Sequence, residues 1–400
     1  MRITQGMEQA QFLASLQQLE SNIAQTQNQI STGLSYTTAS QNPVDAGFVA
    51  NYSAALAQSQ QYTTNANAAQ TSLNTEDTAL TQVQSQLQSL RDLALEANSG
   101  TVSSQNLTAI AAQATQIQSS LLSLANTQDG DGNYIFAGTA SLTLPFALTA
   151  TGASYAGDQG QQKVQIAAGL TVPTGDNGNV VFNQIKTGNG TFTVTANAGN
   201  TGSGVVGTTT VVDPTAYTGG SYTIDFTAPN TYQVLNAAPP HAVVTSGTYT
   251  PGQAIAFSGL QVTLSGQPAT GDSFAVAPST DQSIFTTVQN LITALQAGNS
   301  TSTAKTQLGN SIAAALDNID QALSQTSTVQ AGVGGQLNLI TTQLSVATSQ
   351  QTQLQTSITA LQGLNYASAV TSLDSENTTL SAAMQAFAQT QQLSLFKYIS

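Results

Sequence analysis

The chain is 400 residues long, yet only 6% of them are charged, against about 25% in an ordinary soluble domain. Its six cations, Arg2, Arg91, Lys163, Lys186, Lys305 and Lys397, are scattered and the net charge is −13, which argues against nucleic acid or an anionic membrane as partner. With no Cys, one His and dispersed carboxylates, disulfides, thiolate zinc and multi-histidine sites are excluded, so the composition points away from an enzyme and from any cofactor.

The start, MRITQGMEQAQFLASLQQLE, is interrupted by polar residues too often for a cleavable signal. No window approaches the ~18 apolar residues of a membrane helix. The expectation is a chain that stays in the cytoplasm or leaves by a route needing no cleaved signal.

Character changes twice along the chain. Residues 1 to about 128 are rich in Gln, Ala, Ser, Thr and Leu; Gly, Thr, Val, Tyr and Pro dominate from Asp129 to Pro278; the first style then returns. This reads as helical ends around a β-rich middle. Phe12, Leu16, Leu19, Ile23, Thr26 and Ile30 are spaced 4-3-4-3-4, an a/d stripe that Gly33 ends. Asn42-Pro43 starts a second helix with the stripe Tyr52, Ala55, Ser59, Tyr62, Ala66, Ala69, Leu73, Glu76, Leu80, Val83, Leu87 and Leu90, broken at Asn98-Ser99-Gly100. Leu107, Ile110, Ala114, Ile117, Leu121 and Leu124 predict a third helix.

In the middle, Tyr134–Phe136, Val164–Ile166, Phe192–Val194, Tyr222–Phe226, Ile255–Phe257, Leu260–Leu264 and Phe274–Val276 read as strands. After Pro278, Ser279 and Gln282 suggest a capping box, followed by a short helix on Ile284, Val288, Leu291 and Leu295 that stops near Gly298. Leu308, Ile312, Leu316, Ile319 and Leu323 predict another helix, with an interruption at Gly332, Gly334 and Gly335. Leu337, Ile340, Leu344, Leu354, Ile358 and Leu361 follow, and Gly363 marks a joint. The last helix carries Ala369, Leu373, Leu380, Met384, Phe387, Leu393, Leu395 and Phe396.

Chemical motifs are sparse. Asp129-Gly130-Asp131-Gly132-Asn133 lacks the closing Glu of a calcium loop and reads as a tight turn. Gly157–Gly160 and Thr270–Ser273 read as turns too. Glu76 falls on its stripe and is expected to meet Arg91 or a partner's cation, while Asp374 and Glu376 read as a solvated face. The stripes at the chain ends read as assembly contacts and the inner ones as bundle core.

These segments resemble a known family. MRITQGM, Gln27–Leu34 and Ser40–Ala46 are similar to the N-terminal region of flagellins, and Asn365–Val370 through Gln391–Ile399 to their C-terminal region. Asp131–Thr139, Tyr155–Asp158 and the ending Leu393–Ile399 resemble the hook-associated branch of that family more than filament subunits. Residues 187–270 are not matched. Asn42 and Asn365 stand where the family usually has acidic residues.

The resemblance implies an α+β, flagellin-like fold. Long N- and C-terminal helices pair as a coiled coil or bundle around β-hairpins and a small distal β domain. The expected domains are 1–40 with 365–400 for assembly, 41–189 with 279–364 as a helical bundle with hairpins, and 190–278 as the distal β domain. It further implies a secreted, extracellular structural protein of the bacterial flagellum, exported by the type III route and joining hook to filament. Its expected partners are further copies in a ring, the first hook-associated protein, flagellin or the filament cap, and an export chaperone. The implied interface residues are Phe12, Leu16, Leu19, Ile23, Ile30, Gly33, Asn42, Pro43, Asn365, Ala367, Leu380, Met384, Phe387, Leu393, Leu395 and Phe396. A minor flagellin, or a secreted coiled-coil adhesin with a β ligand-binding domain, are the other readings.

Overall fold

The computed structural model describes residues 5–99 and 101–399, with side chains from Gly6 to Gln389. Six helices form: α1 Gln5–Thr32, α2 Pro43–Ala97, α3 Ser104–Ala125, α4 Ile284–Ala297, α5 Ser302–Gln362 and α6 Tyr366–Ile399. The chain divides into two compact units. One is built from the N-terminal stretch up to Thr64 with the stretch from Gln343 onward; the other is Asn65–Thr342.

Between α3 and α4 lie fourteen short strands. These are β1 Phe146–Thr149, β2 Gly152–Tyr155, β3 Lys163–Ala167, β4 Leu170–Pro173, β5 Ile185–Lys186, β6 Phe192–Ala196, β7 Val205–Val211, β8 Tyr222–Ala228, β9 Thr231–Asn236, β10 Val243–Thr248, β11 Ala254–Phe257, β12 Leu260–Ser265, β13 Ser273–Pro278 and β14 Asp281–Gln282. A five-stranded antiparallel sheet runs β10-β9-β8-β13-β6, and a three-stranded one runs β11-β12-β7. Their shared core includes Phe192, Ile224, Phe226, Val234, Ile255, Leu260, Val262, Leu264 and Phe274. Alternation along β8 and β12 puts every second residue into that core. The pairs β1–β2, β3–β4 and β5–β14 stand apart from it.

The predicted helices α2 and α3, and the end of α4, agree with the structure. Ser103 caps α3 by accepting from the Asn106 N–H, and Gly298 ends α4 at φ +74°. The stripe Ala66, Ala69, Leu73, Glu76, Leu80, Val83, Leu87, Leu90 is buried throughout. Several helix and strand assignments need correction, and eight of the fourteen strands lie outside the segments read as strands.

The largest correction concerns α5, which runs unbroken through Gly332, Gly334 and Gly335. A Cβ on any of the three would meet nothing within 4 Å, so they lie on the open face, while Val333 between them is fully buried. Packing of the seam Leu308, Ile312, Ala315, Ile319, Ala322, Thr326, Val329, Val333, spaced 4-3-4-3-4-3-4, overrides the cost of about 1 kcal/mol per glycine. The buried positions are thus Ala315 and Ala322, not the half-buried Leu316 and Leu323.

Tyr134–Phe136 is not a strand. Only a single bridge, Gln128 to Tyr134, forms there. The Phe136 carbonyl accepts from the Gly178 N–H and the Tyr155 hydroxyl instead. Its ring packs edge-on against Phe182 at 5.2 Å, in a buried aromatic cluster with Phe146 and Phe285.

The cap of α4 is Ser283, whose side chain accepts from the Phe285 N–H. Ser279 instead donates to the Thr187 carbonyl, because β14 first pairs with β5. Strands β1, β2, β4, β5, β7, β9, β10 and β14 lie outside the segments read as strands; Gly207 and Gly247 dilute the apolar signal of β7 and β10.

Replacing Gly334 by Ala on the open face of α5 is expected to raise stability by about 0.5–1 kcal/mol. Val333→Ala should lower it by about 2 kcal/mol. Urea midpoints measure both, and destabilisation by Gly334→Ala would contradict a continuous helix.

Candidate functional site

Helices α1 and α6 pair antiparallel within the N-terminal and C-terminal unit. On α1 the stripe Phe12, Leu16, Leu19, Ile23, Thr26, Ile30 is the covered face, with Ile23 and Thr26 buried and the others half-buried. On α6 the matching face is Ala369, Leu373, Glu376, Leu380, Ala383, Phe387, again spaced 4-3-4-3-4. At one end Phe12 stacks on Phe387, with ring centroids 4.9 Å apart and planes 5° from parallel. In the middle, the Thr26 hydroxyl donates to Glu376 Oε2 at 3.1 Å.

Met384 faces away, 49% exposed, because Ala383 occupies the seam. Glu376 belongs to the seam, not to a solvated face. The signal for it was present in the sequence: continuing the heptad from Ala369 and Leu373 lands on Glu376.

The other end of the pair is closed by backbone. The Gly33 N–H donates to the Gln29 carbonyl and ends α1. The Leu364 N–H donates to the Gly33 carbonyl at 3.0 Å, and the Ser35 N–H to the Gln362 carbonyl at 2.8 Å. Gly33 has φ +72°, a conformation that favours glycine, and a Cβ there would displace the half-exposed Tyr366 hydroxyl, 2.8 Å away. Asn42 and Asn365 are helix caps. Asn42 Oδ1 accepts from the Asp45 N–H with Pro43 in the first turn of α2, and Asn365 Oδ1 accepts from the Ser368 N–H. A neutral Asn performs there the capping task that Asp performs equally well.

Of the sequence-derived interface residues, the structure thus joins Phe12, Leu16, Leu19, Ile23, Ile30, Leu380 and Phe387 along one intramolecular seam. Gly33, Asn42, Pro43 and Asn365 lie at its joints. Ala367 is exposed. The side chains of Leu393, Leu395 and Phe396 lie outside the described residues.

This unit has little core of its own. Its buried apolar residues among those described are Ile23, Tyr36, Ala347 and Ala369. Large apolar side chains remain open on its surface: Met7 61%, Leu13 50%, Val44 67%, Phe48 50%, Val346 52% and Val370 46% exposed. Both ion pairs described, Arg91–Asp320 at 2.7 Å and Lys186–Asp281 at 2.8 Å, belong to the other unit. In the terminal unit Gln351 bridges by amide donation to Ser59 and Thr63.

Elsewhere the acidic motifs are structural. Asp129 Oδ1 accepts the Asp131 and Asn133 N–H groups, and Asp158 accepts from Thr139 and the Gly160 N–H, so both are turns. No group of three or more His, Cys, Asp or Glu suited to a metal occurs among the described residues, and no helix among them is long and apolar enough to cross a membrane. His241 is an exposed loop residue at φ +58°.

Glu76 does not meet Arg91, which pairs with Asp320 instead. The Glu76 carboxylate, 1% exposed, accepts from the Asp176 N–H at 3.1 and 3.3 Å. Burial first, and then the negative charges of Asp176 and Asp77, push its pKa up to about 8. Asp317, also deprived of water and close to Asp320, is raised to about 6.

Comparison with known proteins places these features in a family context. Residues 3–141 match the bacterial flagellin N-terminal helical region and residues 316–399 the bacterial flagellin C-terminal helical region. Residues 195–278 match the D2-like domain of flagellar hook-associated protein 1, so the middle that lacked a resemblance by sequence motifs has one. Flagellar hook-associated protein 3 of Salmonella typhimurium is 30% identical over 185 residues, 46% of this chain and 58% of that protein. The chain spans about half the length of the curated relatives it matches. Among solved structures, FlgL of Xanthomonas campestris is 34% identical with a TM-score of 0.72, over 77% of this chain and 99% of that one. The flagellar junction protein FlgL of Legionella pneumophila is 30% identical with a TM-score of 0.66, over 71% and 95%.

Because Glu76 binds its proton more tightly when folded, the folded state holds more protons than the unfolded one between about pH 4.5 and 8. Its contribution is fully present at acidic pH and is lost as pH rises towards 8, an effect on the order of a few kcal/mol. Asp317 acts in the same direction between about pH 4 and 6. Urea midpoints are expected to fall from pH 5 to pH 8, and Glu76→Gln should remove most of that fall. An unchanged slope in the variant would refute the assignment.

Proposed function

Because the chain belongs to the flagellar hook-associated protein 3 (FlgL) family, we propose that it is a structural subunit of the bacterial flagellum that joins hook to filament. It polymerises through its terminal helices. The observation that carries this reading is the terminal unit, which has few buried residues and whose two end helices cover each other along one stripe and leave Leu13, Val370 and Met384 open, with Phe48 open on α2. Apolar surface of that extent on a helical pair marks a contact surface. Copies packed side by side bury it.

In this reading the assembly domain is 1–40 with 365–400, and the copies form a ring. The first hook-associated protein lies on one side, and flagellin or the filament cap on the other. The chain reaches its place unfolded through the type III export route with a chaperone, and lies outside the cell.

The few charges in the terminal unit suggest an assembly that depends little on salt, since screening acts on charges. Immunogold labelling of intact flagella is expected to give one band between hook and filament. Deletion of the gene should release filaments into the medium, and raising salt alone should not dissolve the junction. Label spread along the filament would indicate a filament subunit instead.

A further inference from the structure

The five-stranded sheet ends in two edges, β10 on one side and β6 on the other. Natural sheets guard such edges with charge, proline or a bulge. Here no Lys, Arg, Asp or Glu occurs between Asp225 and Asp272, a stretch that includes the whole of β10. Val243 and Val244 on β10 are 57% and 41% exposed. A bulge lies at its start, and Thr245–Thr248 pair with β9 in regular register.

The opposite edge is open in a different way. A cleft of about 400 Å³ lies between β6 and the helices α4 and α5. On the strand side it is lined by three consecutive residues of β6, Val194, Thr195 and Ala196, and by Asn197 and Ala198 in the turn that follows. Side chains of a strand alternate between faces, so an unbroken run along a wall means that the backbone edge itself faces the cleft. Its helical wall presents Asn290, Ser311 and Ala314, and no charged residue lines it.

We propose that β10 of one copy docks along β6 of the next, continuing the five-stranded sheet from subunit to subunit. This inference rests on the assembly reading above. A second copy is the occupant that charge selects: each chain carries −13, so two copies approach with least repulsion where both surfaces are neutral. Symmetry agrees. All neighbours in the five-stranded sheet are antiparallel, so β10 and β6 run in the same direction. Copies related by rotation around a ring keep that direction, and the new pair is parallel and head-to-tail, the contact type that closes rings.

Cysteine pairs test this in a chain that has no natural Cys. Thr195→Cys on β6 is combined with Val244→Cys, Ser246→Cys or Thr248→Cys on β10, which covers the possible registers. Within one copy the two edges are four strand spacings apart, about 19 Å, beyond the ~7 Å limit of a disulfide. Any bond therefore joins copies. Intact flagella carrying a double variant, once oxidised, are expected to yield a ladder of dimers and higher multimers in at least one register, and the single variants none.

Dimers from a β10 single variant would mean that β10 edges pair with each other, and would overturn the proposal. So would the absence of any ladder while the variants still give the immunogold band at the junction. Absence of that band for the parent protein refutes the junction reading itself, and with it the setting this contact requires.

Discussion

Helices in this chain must find partners with almost no ion pairs to guide them. With 6% charged residues, register is set by the shape of the seams. Phe12 stacks on Phe387, and small residues such as Ala66, Ala69, Ala315 and Ala322 alternate with large aliphatics at the buried seam positions. Where a seam carries a polar group, a hydroxyl or amide answers it. Thr26 donates to Glu376, and Gln330 donates to Asp77 and Thr81 on α2. A part-buried polar pair of this kind favours one register, because sliding one heptad leaves a carboxylate without its donor.

The same constraint explains Glu76. A buried carboxylate ordinarily takes an Arg or Lys, but the chain has six such residues and spends none there. Holding its proton is the remaining way to lower the cost of burial. The seam position is thus occupied by a neutral carboxyl at mild pH, nearly the same size and shape as a glutamine amide.

Much of the helical part was legible because heptad spacing depends on residue identity alone. The stripes of α1, α2 and α3, the turn at Asn42-Pro43 and the stop at Gly33 were all visible. Several of the differences share one cause, which is tertiary packing overruling a local signal. Three glycines within four positions read as a break, yet the seam residue Val333 holds α5 together across them. Tyr134–Phe136 has strand composition, but its backbone is claimed by Gly178 and Tyr155. Met384 fits a 4-3 spacing from Leu380 as well as Ala383 does, and only the partner helix decides between them. Glu376 shows the opposite case: the heptad from Ala369 and Leu373 leads to it, and its acidic character alone suggests a solvated face.

The two units settle the demand for buried apolar surface in different ways. Asn65–Thr342 has its own core: the aromatic cluster of Phe136, Phe146, Phe182 and Phe285, and the two-sheet core around Phe226 and Phe274. It has what a domain needs to hold its shape unaided. The terminal unit has two long helices at the chain ends and few buried residues, and long helices alone are marginal in water. Its Gly33–Leu364 and Ser35–Gln362 backbone bonds fix how α1, α5 and α6 meet, but they bury little. The open Leu13, Phe48 and Val370 therefore amount to missing core, and neighbouring copies are the source of apolar surface that a polymer of this chain has at hand.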